Sequence, residues 1–141
     1  MSADRFDLER FVAAQRTVYD DVIEELRRGR KTSHWIWFIF PQVAGLGHSA
    51  TSQRYAIGSL AEAKAYLERP ILGPRLRESA ALLLGVPGRI AEEILGQVDA
   101  RKVRSSMTLF RRAAPDEPVF ADVLNRFYDG VPDPRTDELL R

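Results

Sequence analysis

Lys31-Thr32-Ser33-His34-Trp35-Ile36-Trp37-Phe38-Ile39-Phe40-Pro41-Gln42 holds both tryptophans of the chain and an unbroken apolar hexamer, Trp35 to Phe40. The second of two histidines follows at once, in Gly45-Leu46-Gly47-His48. A run this apolar belongs in a core, while indole N–H groups and an imidazole that titrates near neutral pH suit the rim of a pocket. The hexamer fits a buried strand or a short buried helix, and periodicity does not separate the two. No other segment offers a good strand to pair with it, and a lone strand would leave its backbone groups unpaired. We therefore read a short helix ended by Pro41, then a glycine loop through His48 to Ser52.

Upstream, Leu8, Phe11, Val12, Gln15, Tyr19, Val22, Ile23 and Leu26 form the 3,4-spaced stripe of one amphipathic helix from Phe6 to Arg28. Acidic residues open it, Arg27 and Arg28 close it, and Gly29 stops it. Gln15 lies on the apolar face and needs hydrogen-bond partners there. Downstream, Ser59-Leu60-Ala61-Glu62 reads as a capping box opening a helix to Glu68. A helix past Pro70 to Leu84 follows, then a short one from Ile90 to Leu95 capped by Gly96. Asp99 is the expected N-cap of a helix through Val103, Met107 and Phe110. Phe120 to Tyr128 and a last helix capped by Thr136 complete the set. The sequence predicts a single all-α domain, residues 1–141, of seven or eight short helices.

With 141 residues and 16.0 kDa, the chain can bury roughly 70% of its unfolded surface in one core. It has no cysteine, which excludes disulfides, thiolate metal sites and cysteine nucleophiles. A formal net charge of +1 argues against a generally basic nucleic-acid binder. No apolar run follows Met1-Ser2-Ala3-Asp4-Arg5, so no signal peptide is expected and the cytoplasm is the expected location. The hexamer is too short to span a bilayer, so no membrane association is expected.

Four blocks, Phe11–Gln15, Gly29–Gln42, Gly45–Gly47 and Asp99–Phe110, resemble those of a bacterial family, domain-of-unknown-function family eighteen-ten, sometimes mislabelled calpastatin. That resemblance covers nearly the whole chain and implies a compact all-helical fold with no settled activity. A weaker similarity, in size, helical content and an aromatic-rich polar pocket, is to helical proteins proposed to act on ADP-ribose linkages. Those use a glutamate motif near an aromatic block, and the sequence offers no equivalent beside Trp35.

The unusual polar residues sit in two otherwise apolar segments, the central block and the helix after Asp99. Polar groups on apolar elements are costly unless they bond one another, the backbone or a ligand, so the two segments are expected to face each other. Asp99 and Lys102 lie one turn apart, and Lys102, Ser105 and Ser106 are expected to share a face. His34 and Asp99 are the candidate catalytic groups. Lys31, Trp35, Trp37, Gln42, His48, Lys102, Ser105 and Ser106 are the candidate ligand contacts. The histidines have neither ligand spacing nor an adjacent carboxylate, so no metal and no cofactor are expected. Neither Gly29-Arg30-Lys31-Thr32 nor Gly45-Leu46-Gly47-His48-Ser49 has the form of a P-loop. Two readings follow: a pocket for a nucleotide-like or ADP-ribose-like small molecule, with hydrolysis as its activity, or a non-enzymatic protein-interaction module.

Overall fold

The computed structural model describes residues 4–141, and the described residues form ten helices and no extended strand. Met1, Ser2 and Ala3, on which part of the leader-peptide reading rests, lie outside them. The stripe after Phe6 makes two helices rather than one, α1 (Glu9–Gln15) and α2 (Tyr19–Arg28). The chain turns through Arg16, Thr17 and Val18, where two β-branched residues weaken helix propensity. The break lets each half pack in its own direction, α1 on the central block and α2 on a later helix. Gly29 closes α2 at φ 74°, its N–H on the Leu26 carbonyl while the N–H of Arg30 reaches that of Glu25.

The apolar hexamer is helical. In α3 (Ile36–Ile39), the Ile39 N–H meets the Trp35 carbonyl and the Phe40 N–H that of Ile36. Beyond Pro41 the chain makes one isolated parallel bridge, Val43 beside Ile57, with the Ile57 N–H donating to Gln42 and the Ala44 N–H to Ile57, both at 2.8 Å. Between these anchors lies a helix absent from the sequence reading, α4 (Ala50–Arg54), whose Ser49 cap accepts the Ser52 N–H at 3.1 Å.

Ser59 caps α5 (Leu60–Glu68), accepting the Glu62 N–H at 3.1 Å. The Glu62 carboxylate does not return to Ser59. It takes the Gly58 N–H and the Arg10 guanidinium, each at 2.9 Å, and so ties α5 to α1. Next come α6 (Leu72–Leu84), with Pro74 in its first turn, and α7 (Ala91–Leu95), ended by Gly96. Gly96 is also the N-cap of α8 (Gln97–Ala113), which places Asp99 inside the first turn rather than at the cap. After α9 (Pro118–Phe127), α10 (Pro134–Leu139) is capped by Asp133, not Thr136. Thr136 is buried and gives both its N–H and its hydroxyl to the Asp133 carboxylate.

Seventeen-residue α8 is the axis around which α5, α7, α9 and α10 pack. A relay of buried rings runs through this core: Phe11 to Tyr66 at 5.1 Å between centroids, Tyr66 to Phe110 at 5.4 Å and Phe110 to Phe120 at 5.9 Å. Gln15 is buried and satisfied. Its amide donates to the Phe38 carbonyl at 2.7 Å and the Tyr66 hydroxyl at 3.2 Å, and its oxygen accepts from Arg75. Trp35 and Phe40 are core residues as expected, whereas Trp37 is only half-buried. Among the described residues, no helix is long and apolar enough to cross a membrane.

Candidate functional site

The central block owes its shape to a residue outside it. Glu25 follows Val22 by three positions on the inner face of α2 and is 4% exposed. One of its carboxylate oxygens accepts the Thr32 N–H at 2.7 Å, the Ser33 N–H at 2.9 Å and the Trp35 indole N–H at 3.0 Å. The other accepts the Ser33 hydroxyl at 2.5 Å. Burial alone would raise this carboxyl, but the hydrogen bonds outweigh it and hold it down at about 2. The loop before α3 is thus wrapped around one anion, and its charge is fully used there.

Lys31, at the start of that loop, has its side chain 7% exposed. Its ammonium lies 2.8 Å from Asp99 Oδ2, 2.5 Å from the Ser33 carbonyl and 5.0 Å from the centre of a Trp35 ring. The other oxygen of Asp99 stands 3.9 Å from Lys102 Nζ, which in turn lies 5.2 Å from the centre of a Trp37 ring. The central block and α8 therefore meet through two cations and one carboxylate, each cation resting on an indole. The Lys31 N–H on the Ile94 carbonyl, at 2.7 Å, adds a backbone tie to α7.

Beside this junction a groove of about 200 Å³ runs between the Gln42–Gly47 loop and the first two turns of α8. Lys102, Arg101 and Arg135 supply positive charge, and Gln42, Ser105 and Asp133 supply neutral or negative polar groups. Arg101 and Arg135 are exposed and make no ion pair among the described residues. The single carboxylate is occupied, since Asp133 caps α10 and also lies 3.3 Å from the Ser105 hydroxyl. Arg104 holds the far wall in place through the Val131 and Pro132 carbonyls. An anion with several oxygens suits such a groove.

Behind the loop, sharing Gln42 and Gly47 with the groove, lies a smaller cavity of about 110 Å³ bordered by Trp37 and Tyr55. Gly45 permits the loop to pass at φ 102°, and a Cβ on Gly47 would come within 2.5 Å of the Ser52 side chain.

The candidates distribute unevenly over this geometry. Trp37, Gln42, Lys102 and Ser105 border the groove or the cavity. Lys31 and Asp99 form the ion pair behind them. Trp35 is 1% exposed, with its N–H given to Glu25, so its place is structural. Ser106 is fully buried with no hydrogen bond among the described residues, so the face expected for Lys102, Ser105 and Ser106 carries only the first two. His34 and His48 are exposed and border neither space. No group of three or more His, Asp or Glu side chains arranged to hold a metal occurs among the described residues. Glu25, Tyr55 and Arg135 were not singled out from the sequence. For Glu25 the available signal was its register with Val22, which places a carboxylate on a buried face.

Comparison with known proteins agrees with this architecture. The family described as "Protein of unknown function (DUF1810)" matches residues 5–140, so the chain belongs to that family. The crystal structure of the conserved hypothetical protein Rv1873 from Mycobacterium tuberculosis is 53% identical. The match covers 97% of this chain and 98% of that one, with a TM-score of 0.96. No curated protein matches.

Proposed function

We propose that this member of the DUF1810 family binds a small anionic ligand, nucleotide-like or ADP-ribose-like, in the groove between the Gln42–Gly47 loop and α8. The observation that carries the reading is the unequal treatment of the two lysines. Lys31 is buried and paired with Asp99 at 2.8 Å, whereas Lys102 stands 3.9 Å from the same carboxylate and opens onto the groove with Arg101 and Arg135. A structural ion pair would have no need of that surplus, and three cations converging on one concavity suit a phosphate or diphosphate. Gln42, in the groove lining, and Trp37, whose ring centre lies 5.2 Å from Lys102 Nζ, suit an amide-bearing or planar group attached to it. Hydrolysis of the bound ligand would draw its proton transfers from Asp99, whose carboxylate lies 3.9 Å from the groove residue Lys102.

The test is calorimetric titration with pyrophosphate, nucleoside monophosphates and ADP-ribose, with product analysis for turnover. Saturable binding is expected, weakened about tenfold or more in Lys102→Ala and Arg135→Ala, a loss suited to removing one charge-assisted contact. Any turnover should fail in Asp99→Asn. Binding of equal strength in the wild type and both cation variants would remove the groove from consideration.

A protein-interaction module is the second reading. A broader groove of about 540 Å³ beside α10 favours it as a contact for an acidic partner, since Arg111 and Arg141 border it along with Arg112, which is paired with Asp137 at 3.2 Å.

A further inference from the structure

The cavity behind the Gln42–Gly47 loop has a size and lining of its own. Its volume of about 110 Å³ is below the roughly 150 Å³ that holds one benzene molecule in a protein core. By that measure even a single six-membered ring enters only part-way through the open mouth, and a fused bicyclic ring leaves correspondingly more of itself outside. Two aromatic side chains, Trp37 and Tyr55, border it and offer flat apolar contact. Its polar groups are carboxamides and hydroxyls rather than charges. The Gln42 amide makes no hydrogen bond among the described residues, and Gln53 commits only its nitrogen, to the His48 carbonyl at 3.2 Å. Each glutamine therefore keeps an acceptor, and Gln42 keeps donors as well, the complement of a ring edge that carries both C=O and N–H.

Only a thin wall, Gln42 and Gly47, separates this cavity from the cationic groove. We infer that the two spaces are halves of one site, and that the ligand joins a phosphate in the groove to a single-ring heteroaromatic base of the pyrimidine type in the cavity. This rests on the anion-binding reading of the groove and adds to it the class of base. A methyl group at position 47 would meet the side chain of Ser52, which also borders the cavity.

Calorimetry with uridine 5′-monophosphate, adenosine 5′-monophosphate and ribose 5-phosphate separates the two levels. The expected result is that uridine 5′-monophosphate binds about tenfold or more tightly than either of the others, the discrimination a shaped pocket supplies. Gln53→Ala should reduce that advantage and leave ribose 5-phosphate binding unchanged, because Gln53 borders the cavity and not the groove. Tyr55→Leu, which removes a flat ring from the cavity lining and none from the groove, provides the same readout. Equal affinity for all three ligands, or a preference for the adenine nucleotide, overturns the inference about the base while leaving the groove reading intact. Absence of binding by all three overturns both.

Discussion

Glu25 shows how much of the central block rests on one side chain. Its four hydrogen bonds from Thr32, Ser33 and Trp35 are stronger to the ionised carboxylate than to the neutral acid, and they hold its pKa at about 2 against an ordinary 4.5. A depressed pKa contributes stability that is present above about 4.5 and is lost as pH falls toward 2. The shift corresponds to about 3 kcal/mol. Chemical unfolding at neutral pH and at pH near 3 should show a fall in stability in the wild type, and the part due to this carboxylate should be missing in Glu25→Gln. An unchanged pH profile in that variant would mean that the loop is held by something else. The two tryptophans make a second contrast at this scale. Trp35 is fully enclosed, so Trp35→Ala should cost about 3–5 kcal/mol. Trp37 is half-exposed at a cavity, so Trp37→Ala should cost about 1–2 kcal/mol in the same unfolding measurement. Equal losses would place Trp37 in the core and close the cavity.

Among the elements, the decisive contact is that of the loop before α3 with the first turn of α8. Because Gly96 rather than Asp99 caps α8, the Asp99 carboxylate is free to receive Lys31 from one side and Lys102 from the other. A double-mutant cycle on Lys31→Met and Asp99→Asn should therefore give a coupling of about 1–2 kcal/mol. The same cycle on Lys102 and Asp99 should give only a few tenths, as a pair one turn apart on a helix and separated by 3.9 Å does. Additive losses for Lys31 and Asp99 would show that they do not hold the two elements together. That the two segments would face each other was expected from His34, Gln42, Asp99, Lys102 and Ser106, polar residues on apolar segments, whereas the pair that joins them, Lys31 with Asp99, was not, and His34 and Ser106 take no part in it. Helical identity was legible too, from the stripes at Leu8 to Leu26 and Val123 to Phe127 and from the lack of a pairing strand for Trp35 to Phe40. The division of the first helix at Arg16 to Val18 was not, since the stripe continues in register across it and only tertiary packing demands the turn. Nor was α4, whose Ser49 cap opens a segment with no apolar face. Glu25 was hidden among solvent-facing acids, and Arg135 acquires its meaning only when α10 folds back against α8.

For the molecule as a whole, a helical shell around α8 leaves cations, carboxamides and aromatic side chains adjoining beside the Gln42–Gly47 loop. By contrast, Gln15 and Glu62 are buried and bonded, and the pair of Arg77 with Glu117, at 2.6 Å, is closed. The account therefore stands on the Trp37, Gln42 and Lys102 wall being a ligand surface. The chain has two indole N–H groups, one given to Glu25 in the core and one bordering the cavity, so it carries an internal control. The most direct measurement is a titration of isotopically labelled protein with uridine 5′-monophosphate, following the two indole resonances by proton–nitrogen correlation and assigning them with Trp37→Phe. The Trp37 signal should move and saturate while that of Trp35 stays in place, and the movement should vanish in Lys102→Ala. A stationary Trp37 signal, or both indoles moving together, would contradict the account.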